Sequence, residues 1–461
     1  MRVVVIGAGI SGLAAAWHLA ERDPAIDVQV LDAASTVGGK LRTASVAGRS
    51  VDVGAESMLA RRPEGIELAR AAGLGDSLIA PLTTSAAVFA GGAAHPLPAR
   101  TMLGIPADVD ALRESGVLDD AAVCTVQGEP DRPPLPALTD DVAVGALVRE
   151  RLGDEVADRL VEPLLGGVYA GRADRLSLRA TMPALAARLG AGGSLVRAAQ
   201  AVTDVGPRDP AAGPVFTSIE GGLGRLAEAL AASGKFAVRT GVTVRAIRRT
   251  PTGFALDCGP VPRPELIEAD GVIVAAPAPK AAKLVSELVP TAGAELSTVD
   301  TASMAIVTFA FDDVTLPPGS GLLVAASEGR AVKAVTLSSQ KWPNPADGLT
   351  VLRASVGRIG ETADLQRDDV ELTALVLNDL RALIGVDARP VDSIVTRWGG
   401  GLPQYAVGHV DKVARIRAAV AAVAGLAVCG ATYDGVGIPA CIASARTAAD
   451  QVLAGVTRRG Q

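Results

Sequence analysis

The first forty residues constrain this chain more than any other stretch. Val3 to Ile6 is an apolar run that reads as a buried parallel strand, and Leu13 to Ala20 continues as helix. Between them Gly7, Gly9 and Gly12 stand in the G-x-G-x-x-G spacing. The first glycine allows a tight strand-to-helix turn, the second lets a pyrophosphate approach the backbone, and the third lets helix and strand pack closely. The segment Gly7, Ala8, Gly9, Ile10, Ser11, Gly12 is therefore expected to cradle phosphates. The helix N-terminus offers them unpaired N–H groups and the positive end of its dipole. A second strand, Val28 to Leu31, ends at Asp32, about 20 residues beyond the glycines, where an acidic side chain can bind a ribose hydroxyl. Strand, glycines, helix, strand and acid in that order point to a dinucleotide. A glycine-rich turn without ligand is the bland alternative.

The fingerprint alone does not choose between NAD and FAD. After Asp32 come Gly38, Gly39, Lys40 and Arg42, a glycine pair and two cations placed to reach the dinucleotide phosphates. Then comes Val51-Asp52-Val53-Gly54-Ala55-Glu56-Ser57. By itself the glycine pair would be an ordinary turn. The combined pattern resembles the FAD-dependent amine oxidase and protoporphyrinogen oxidase superfamily.

Composition sets limits. A chain of 461 residues can form two or three domains around a large core. Hydrophobic residues make up 49% but aromatics only 3%, so the core must be built from Ala, Val and Leu. A net charge of −6 gives no sign of a nucleic-acid surface. Cys124, Cys258, Cys429 and Cys441 are scattered, without metal-ligand spacing, which fits a reducing cytosol and no metal site. No signal peptide is visible before the strand expected from Val3, so none is expected. The uncharged run Ala418 to Tyr433 falls short of the roughly 20 apolar residues a span needs. The expectation is a cytoplasmic protein, with membrane contact at most peripheral at the inner face.

The flavin signals lie at both ends, so the expected fold class is α/β with a discontinuous Rossmann-like FAD-binding domain. Residues 1–82, 214–290 and 397–461 would supply it. Residues 83–205 read as a mainly helical insert walling the substrate cavity, and 291–396 as a mixed-sheet substrate domain. Pro63 to Gly75 reads as a helix with a glycine stop, Thr83 to Leu97 as a strand pair around Gly91-Gly92, and Gly206 to Gly213 as a linker. Leu426 to Val428 reads as a strand running into a glycine-rich loop and then a helix from about Ala440.

Four further segments narrow the resemblance. They are His95-Pro96-Leu97-Pro98; Glu162-Pro163-Leu164-Leu165-Gly166-Gly167-Val168-Tyr169-Ala170-Gly171; Arg397-Trp398 with Leu402-Pro403-Gln404-Tyr405 and Gly408-His409; and Cys429-Gly430-Ala431-Thr432-Tyr433-Asp434-Gly435-Val436-Gly437-Ile438-Pro439. Together they resemble the Gram-positive-type coproporphyrinogen oxidases over essentially the whole chain. The resemblance implies non-covalent FAD contacted by Val436, Gly437 and Ile438. Trp398 would lie by the flavin, Val244 would present its backbone to the adenine, and Gly54, Ala55, Glu56 and Ser57 would line the cleft. It implies a porphyrinogen substrate, molecular oxygen as acceptor, and room for contact with a downstream ferrochelatase. Arg100 follows His95-Pro96-Leu97-Pro98, where related enzymes place a cation near a substrate propionate. A solvated surface arginine is the alternative; Arg61, Arg62 and Arg172 are weaker candidates. Ser355 departs from the pattern, because some relatives carry an aromatic there. The flavin would carry the difficult step, so no catalytic side chain is expected; His18 and His409 are given no catalytic role. The resemblance favours coproporphyrinogen III as substrate, with protoporphyrinogen IX as the alternative; the rival readings are an amine oxidase or desaturase on the same fold, and a flavin-binding protein without turnover.

Overall fold

The computed structural model describes residues 1–204, 213–343 and 348–459. The expected linker therefore lies outside the described residues except for Gly213.

A five-stranded parallel sheet is assembled from three distant parts of the chain. Its spatial order is Ala237–Arg239, Asp27–Leu31, Arg2–Ile6, Gly271–Val274, Leu426–Val428. Both faces are buried, which is why the first strand is an unbroken apolar run. Val3 and Val5 pack with helices Ile10–Arg22 and Ile438–Arg459, which cover one face. Val4 and Ile6 face the other way, toward helices Ala278–Val285 and His409–Ala421 and an antiparallel sheet of Val244–Arg249, Phe254–Cys258 and Glu265–Ala269. The two chain ends thus meet in one Rossmann-like unit.

The second unit is a seven-stranded mixed sheet. Its order is Asp392–Pro403, Thr301–Asp312, Leu349–Val356, Val332–Thr336, Gly321–Val324, Ala86–Ala90, Ala93–Pro96. Strands Gly321–Val324 and Ala86–Ala90 are parallel and the other neighbours antiparallel. Helix Asp369–Ile384 shares one core with Phe309, Leu352, Ala354, Val356, Val332 and Val335 of this sheet. Alternation sends Arg353 and Ser355 to the opposite face. The strand pair expected near Gly91-Gly92 forms the sheet's edge, although it begins the 83–205 segment. Strand Asp392–Pro403 runs across the expected 396/397 boundary.

The remaining segment is helical, from Val109–Ser115 to Leu195–Asp204, with its own core of Leu, Val and Ala around Tyr169 and Tyr405. Helix Glu162–Tyr169 follows a π turn at Ala157–Val161. Among the described residues no helix is long and apolar enough to cross a membrane.

Candidate cofactor and substrate site

The glycine loop has the shape its spacing requires. Gly7 has φ +112°, and a Cβ there would lie 2.8 Å from Ala275 O. A Cβ on Gly12 would come within 1.8 Å of Gly7 O, so only glycine lets the helix sit this close. At Gly9 an added Cβ would meet nothing within 4 Å. That open space at the start of helix Ile10–Arg22 is the one the backbone leaves for a phosphate. Gly38 N donates to Ala8 O (2.8 Å), and a Cβ on Gly39 would sit 3.3 Å from Gly9 Cα. The glycine pair therefore lies directly on the first loop.

Asp32 has a second task. Its carboxylate accepts from Ala8 N (2.6 Å) and Ala34 N (2.7 Å), bracing the loop it was expected to serve. Its carbonyl accepts from Val242 N (2.8 Å), which fixes the start of the strand carrying Val244. Val244 pairs with Cys258 beside a bulge.

The C-terminal loop closes over the same place. Gly430 has φ +123°, and a Cβ there would be 3.5 Å from Ser11 Oγ. The Cys441 thiol donates to Gly435 O (3.7 Å) and lies near Ser11 and the charge of Lys40. Two helix starts, at Ile10 and Ile438, thus adjoin, with Val436 and Gly437 leading into the second. Desolvation holds the Lys40 ammonium below the usual lysine range, and among the described residues it makes no ion pair. A desolvated cation beside two positive helix ends suits a diphosphate. Arg42 is exposed; its carbonyl accepts from Val53 N (2.9 Å).

Segment 53–57 forms the next wall. Ala55 N donates to Lys40 O (3.0 Å), and Trp398 Nε1 donates to Val53 O (2.9 Å). A Cβ on Gly54 would come within 2.0 Å of Lys40 O and 3.1 Å of Trp398 Cζ2. Glu56 binds Lys341 and Arg353 Nη1, the latter at 2.6 Å, and half-buried Ser57 follows it. Arg353 Nη2 donates to Gly54 O (2.6 Å). Burial alone would raise the Glu56 carboxyl, but the Arg353 and Lys341 charges hold it below the usual range. Nearby Asp52 is pushed up to about 7, chiefly by burial, against N–H donation from Leu223. Sequence reasoning missed Lys341 and Arg353. Arg353 left a signal: it is the one charged residue in the strand Leu349–Val356 and is buried there.

A third knot ties this site to the helical segment. Gln404 Nε2 donates to Tyr169 O (2.7 Å). Tyr405 stacks on His409 (centroids 4.2 Å apart), tilts against Tyr169 (5.4 Å) and donates to Ala431 O. His409 Nε2 bonds Thr432 O (2.9 Å), and burial pushes the imidazole down to about 4. Neutral at pH 7, it works here as a brace. Val436 packs on the same cluster.

Comparison with known proteins places this geometry. Residues 10–453 match the profile of the flavin-containing amine oxidoreductases. The coproporphyrinogen III oxidase of Mycobacterium leprae is 38% identical over 460 residues, covering 98% of both chains. That of Bacillus subtilis is 30% identical over 464 residues, covering 98% of this chain and 97% of its own. The chain belongs to the flavin-containing amine oxidoreductases, in the coproporphyrinogen oxidase family.

A solved relative from Exiguobacterium sp. 255-15, provisionally named protoporphyrinogen oxidase, superposes on this family member with TM-score 0.86, 34% identity and 98% coverage of both chains. UDP-galactopyranose mutase, at 18% identity and TM-score 0.72 over 98% of this chain and 94% of its own, shares the fold alone. FAD is the cofactor of this oxidoreductase, and the open space at Gly9 together with unpaired Lys40 fits its diphosphate. Arg100 sits at the surface of the helical segment, ion-paired with Asp108 (3.4 Å) and Asp204, and its guanidinium must leave them to meet a substrate. Arg62 pairs with Glu64, and Arg172 with Glu162 and Glu361. His18 joins helices Ile10–Arg22 and Ile438–Arg459 through Asp450 (3.0 Å). Cys429 is buried, and burial drives its thiol far above the usual range, leaving an inert thiol.

Proposed function

We propose that this oxidoreductase aromatises coproporphyrinogen III to coproporphyrin III in haem biosynthesis, with molecular oxygen as final acceptor and hydrogen peroxide as product. The observation that carries the reading is the full-length similarity to coproporphyrinogen III oxidases at 30–38% identity. The packing of helix Glu162–Tyr169 onto Gln404, Tyr405 and the loop before Ile438 supports it, because these are the segments that carry the resemblance to that family.

A porphyrinogen loses six hydrogens in becoming a porphyrin. A meso methylene between two pyrroles is a good hydride donor, since the pyrrole nitrogens stabilise the cation left behind. Bound FAD supplies the hydride acceptor, used three times per ring. The chain's work is therefore binding and orientation. Gly7 to Gly12, Gly39, Lys40 and Arg42 hold the phosphates, Asp32 the ribose, and the Val244 backbone the adenine. Gly54 to Ser57, Trp398, Val436, Gly437 and Ile438 frame the isoalloxazine. The helix start at Ile438 favours negative charge on the reduced ring. The buried thiol of Cys429 supports non-covalent attachment. Arg100 is the proposed propionate contact at the cavity rim, reached by exchange from Asp108 and Asp204.

Anaerobic mixing with coproporphyrinogen III tests the reading. The yellow flavin band is expected to bleach, and to recover in air as peroxide forms. No bleaching would overturn the reading. A higher kcat/KM for protoporphyrinogen IX would replace the substrate and leave the chemistry.

A further inference from the structure

Strand Val332–Thr336 carries an extra residue. Its register with Leu349–Val356 steps from Val332↔Val356 to Ala334↔Ser355, so Lys333 is the bulged position. Bulges beside active sites re-aim a side chain. Val332 and Val335 pack under helix Asp369–Ile384. Lys333 is aimed elsewhere: its Nζ reaches Gly166 O, on helix Glu162–Tyr169, at 3.4 Å. The residue is 3% exposed, and among the described residues it makes no ion pair.

The charges around it are already committed. Arg358, itself buried, donates to Val324 O (3.1 Å) and lies 3.5 Å from Glu361 Oε2. Glu361 is also held by Arg172, and Arg172 by Glu162. Glu162 further accepts from Ala173 N (2.6 Å). Arg172 and Arg358 take up both of these carboxylates, and on the helix behind Val332 the buried Asp379 is taken up by Arg330 (3.5 Å) and Val332 N (3.0 Å), so Lys333 is left without a counter-ion. Burial, with Arg358 adding to it, lowers the Lys333 ammonium to about 7. A buried ammonium without a counter-ion is costly, and such a group beside a cleft is a candidate for a binding role.

Its position says what it awaits. On the neighbouring strand Arg353 reaches Gly54 O at the flavin wall. Ser355 lies two residues farther along the same face, roughly 7 Å on. Lys333 stands beside it, next to the bare backbone of Gly166 and Gly167. A macrocycle with one meso carbon at the proposed flavin site would extend its rim along this face.

We propose that Lys333 is the counter-ion for one peripheral carboxylate of the tetrapyrrole, a substrate-binding residue deep in the cavity wall. This rests on the porphyrinogen reading above. The carboxylate accepts from Nζ, neutralises its charge and fixes the rotational setting of the ring.

The test uses the FAD-loaded enzyme and its Lys333→Met and Lys333→Gln variants. Binding of coproporphyrin III and of its tetramethyl ester is followed by porphyrin fluorescence, with flavin content and Tm as controls. Both variants should keep FAD and an equal or higher Tm. They should bind coproporphyrin at least tenfold more weakly and the ester unchanged. Wild-type affinity should fall as pH rises above about 7, and this slope should vanish in both variants. Equal coproporphyrin affinity in wild type and variants, with a lowered Tm, would make Lys333 a structural donor to Gly166 and overturn the proposal. Failure of wild type to bind coproporphyrin at all would remove the porphyrinogen reading, and this assignment with it.

Discussion

At the scale of single residues, the site is set by where charge has been taken out of water. Asp52 and Glu56 are four residues apart, yet burial dominates one and paired cations the other. The consequence for Asp52 is a pH effect with a definite sign. Its carboxyl titrates near 7 in the folded chain and near 3.9 unfolded. Between those values the native state holds the extra proton, so this group lowers stability as pH rises through the window. The penalty is complete above pH 7. Asp52→Asn keeps an acceptor for Leu223 N and removes the penalty. Relative to wild type it should gain stability between pH 5 and pH 8, by at most about 1.4 kcal/mol per unit. Urea unfolding at the two pH values checks this; a constant difference would mean Asp52 is ionised throughout. Glu56 was legible as a cleft residue because it follows Gly54. Its partners Lys341 and Arg353 were not, since they lie nearly 300 positions away and only sheet pairing brings them in.

At the scale of elements, the informative contacts join motifs that are separate in sequence. Helix Glu162–Tyr169, the Gln404-Tyr405 turn and the loop before Ile438 meet through one tyrosine, one glutamine and one neutral histidine. Tyr405 is almost completely buried, and its hydroxyl spans from the helical core to Ala431 in the flavin loop. Tyr405→Phe keeps the ring stacked on His409 and leaves Ala431 O without this donor. Loss of one such buried bond should cost about 1–3 kcal/mol. The loop should loosen too, seen as a lower FAD affinity in dilution experiments. Unchanged Tm and FAD affinity would show that Ala431 O finds another donor. The elements themselves were largely visible in the sequence: Leu426–Val428 matches its expected bounds, and the strand pair around Gly91-Gly92 is present. What could not be read was the allegiance of that strand pair. Its partner, Gly321–Val324, is more than 200 residues downstream, and alternation in a strand does not name its neighbour.

At the scale of the whole molecule, the cofactor site is built from both chain ends and the middle. Strands Arg2–Ile6, Gly271–Val274 and Leu426–Val428 are adjacent and parallel, so each runs into a loop at the same edge of the sheet, where the proposed FAD site lies. FAD bound in the proposed site would tie together segments separated by more than 150 residues. Removing it should destabilise the native state by RT ln(1 + [FAD]/Kd), about 2.7 kcal/mol at a hundredfold excess over Kd. The Tm of stripped protein should rise as FAD is titrated in, and the C-terminal helix Ile438–Arg459 should lose protease protection first when FAD is absent. A Tm that ignores FAD would contradict a site shared among all three segments.

The sequence by itself determined the parallel strand, the glycine turn, the helix that follows and the discontinuous flavin unit. These are local requirements: a turn needs glycine where no Cβ fits, and a doubly covered strand needs apolar residues on both faces. Only the tertiary structure decided which charges meet. The lone ammonium of Lys333, the Glu56 cluster and the ion pairs of Arg100 depend on sheet register and helix packing. Electrostatic energy follows distance and desolvation in space, and neither is encoded by neighbours along the chain.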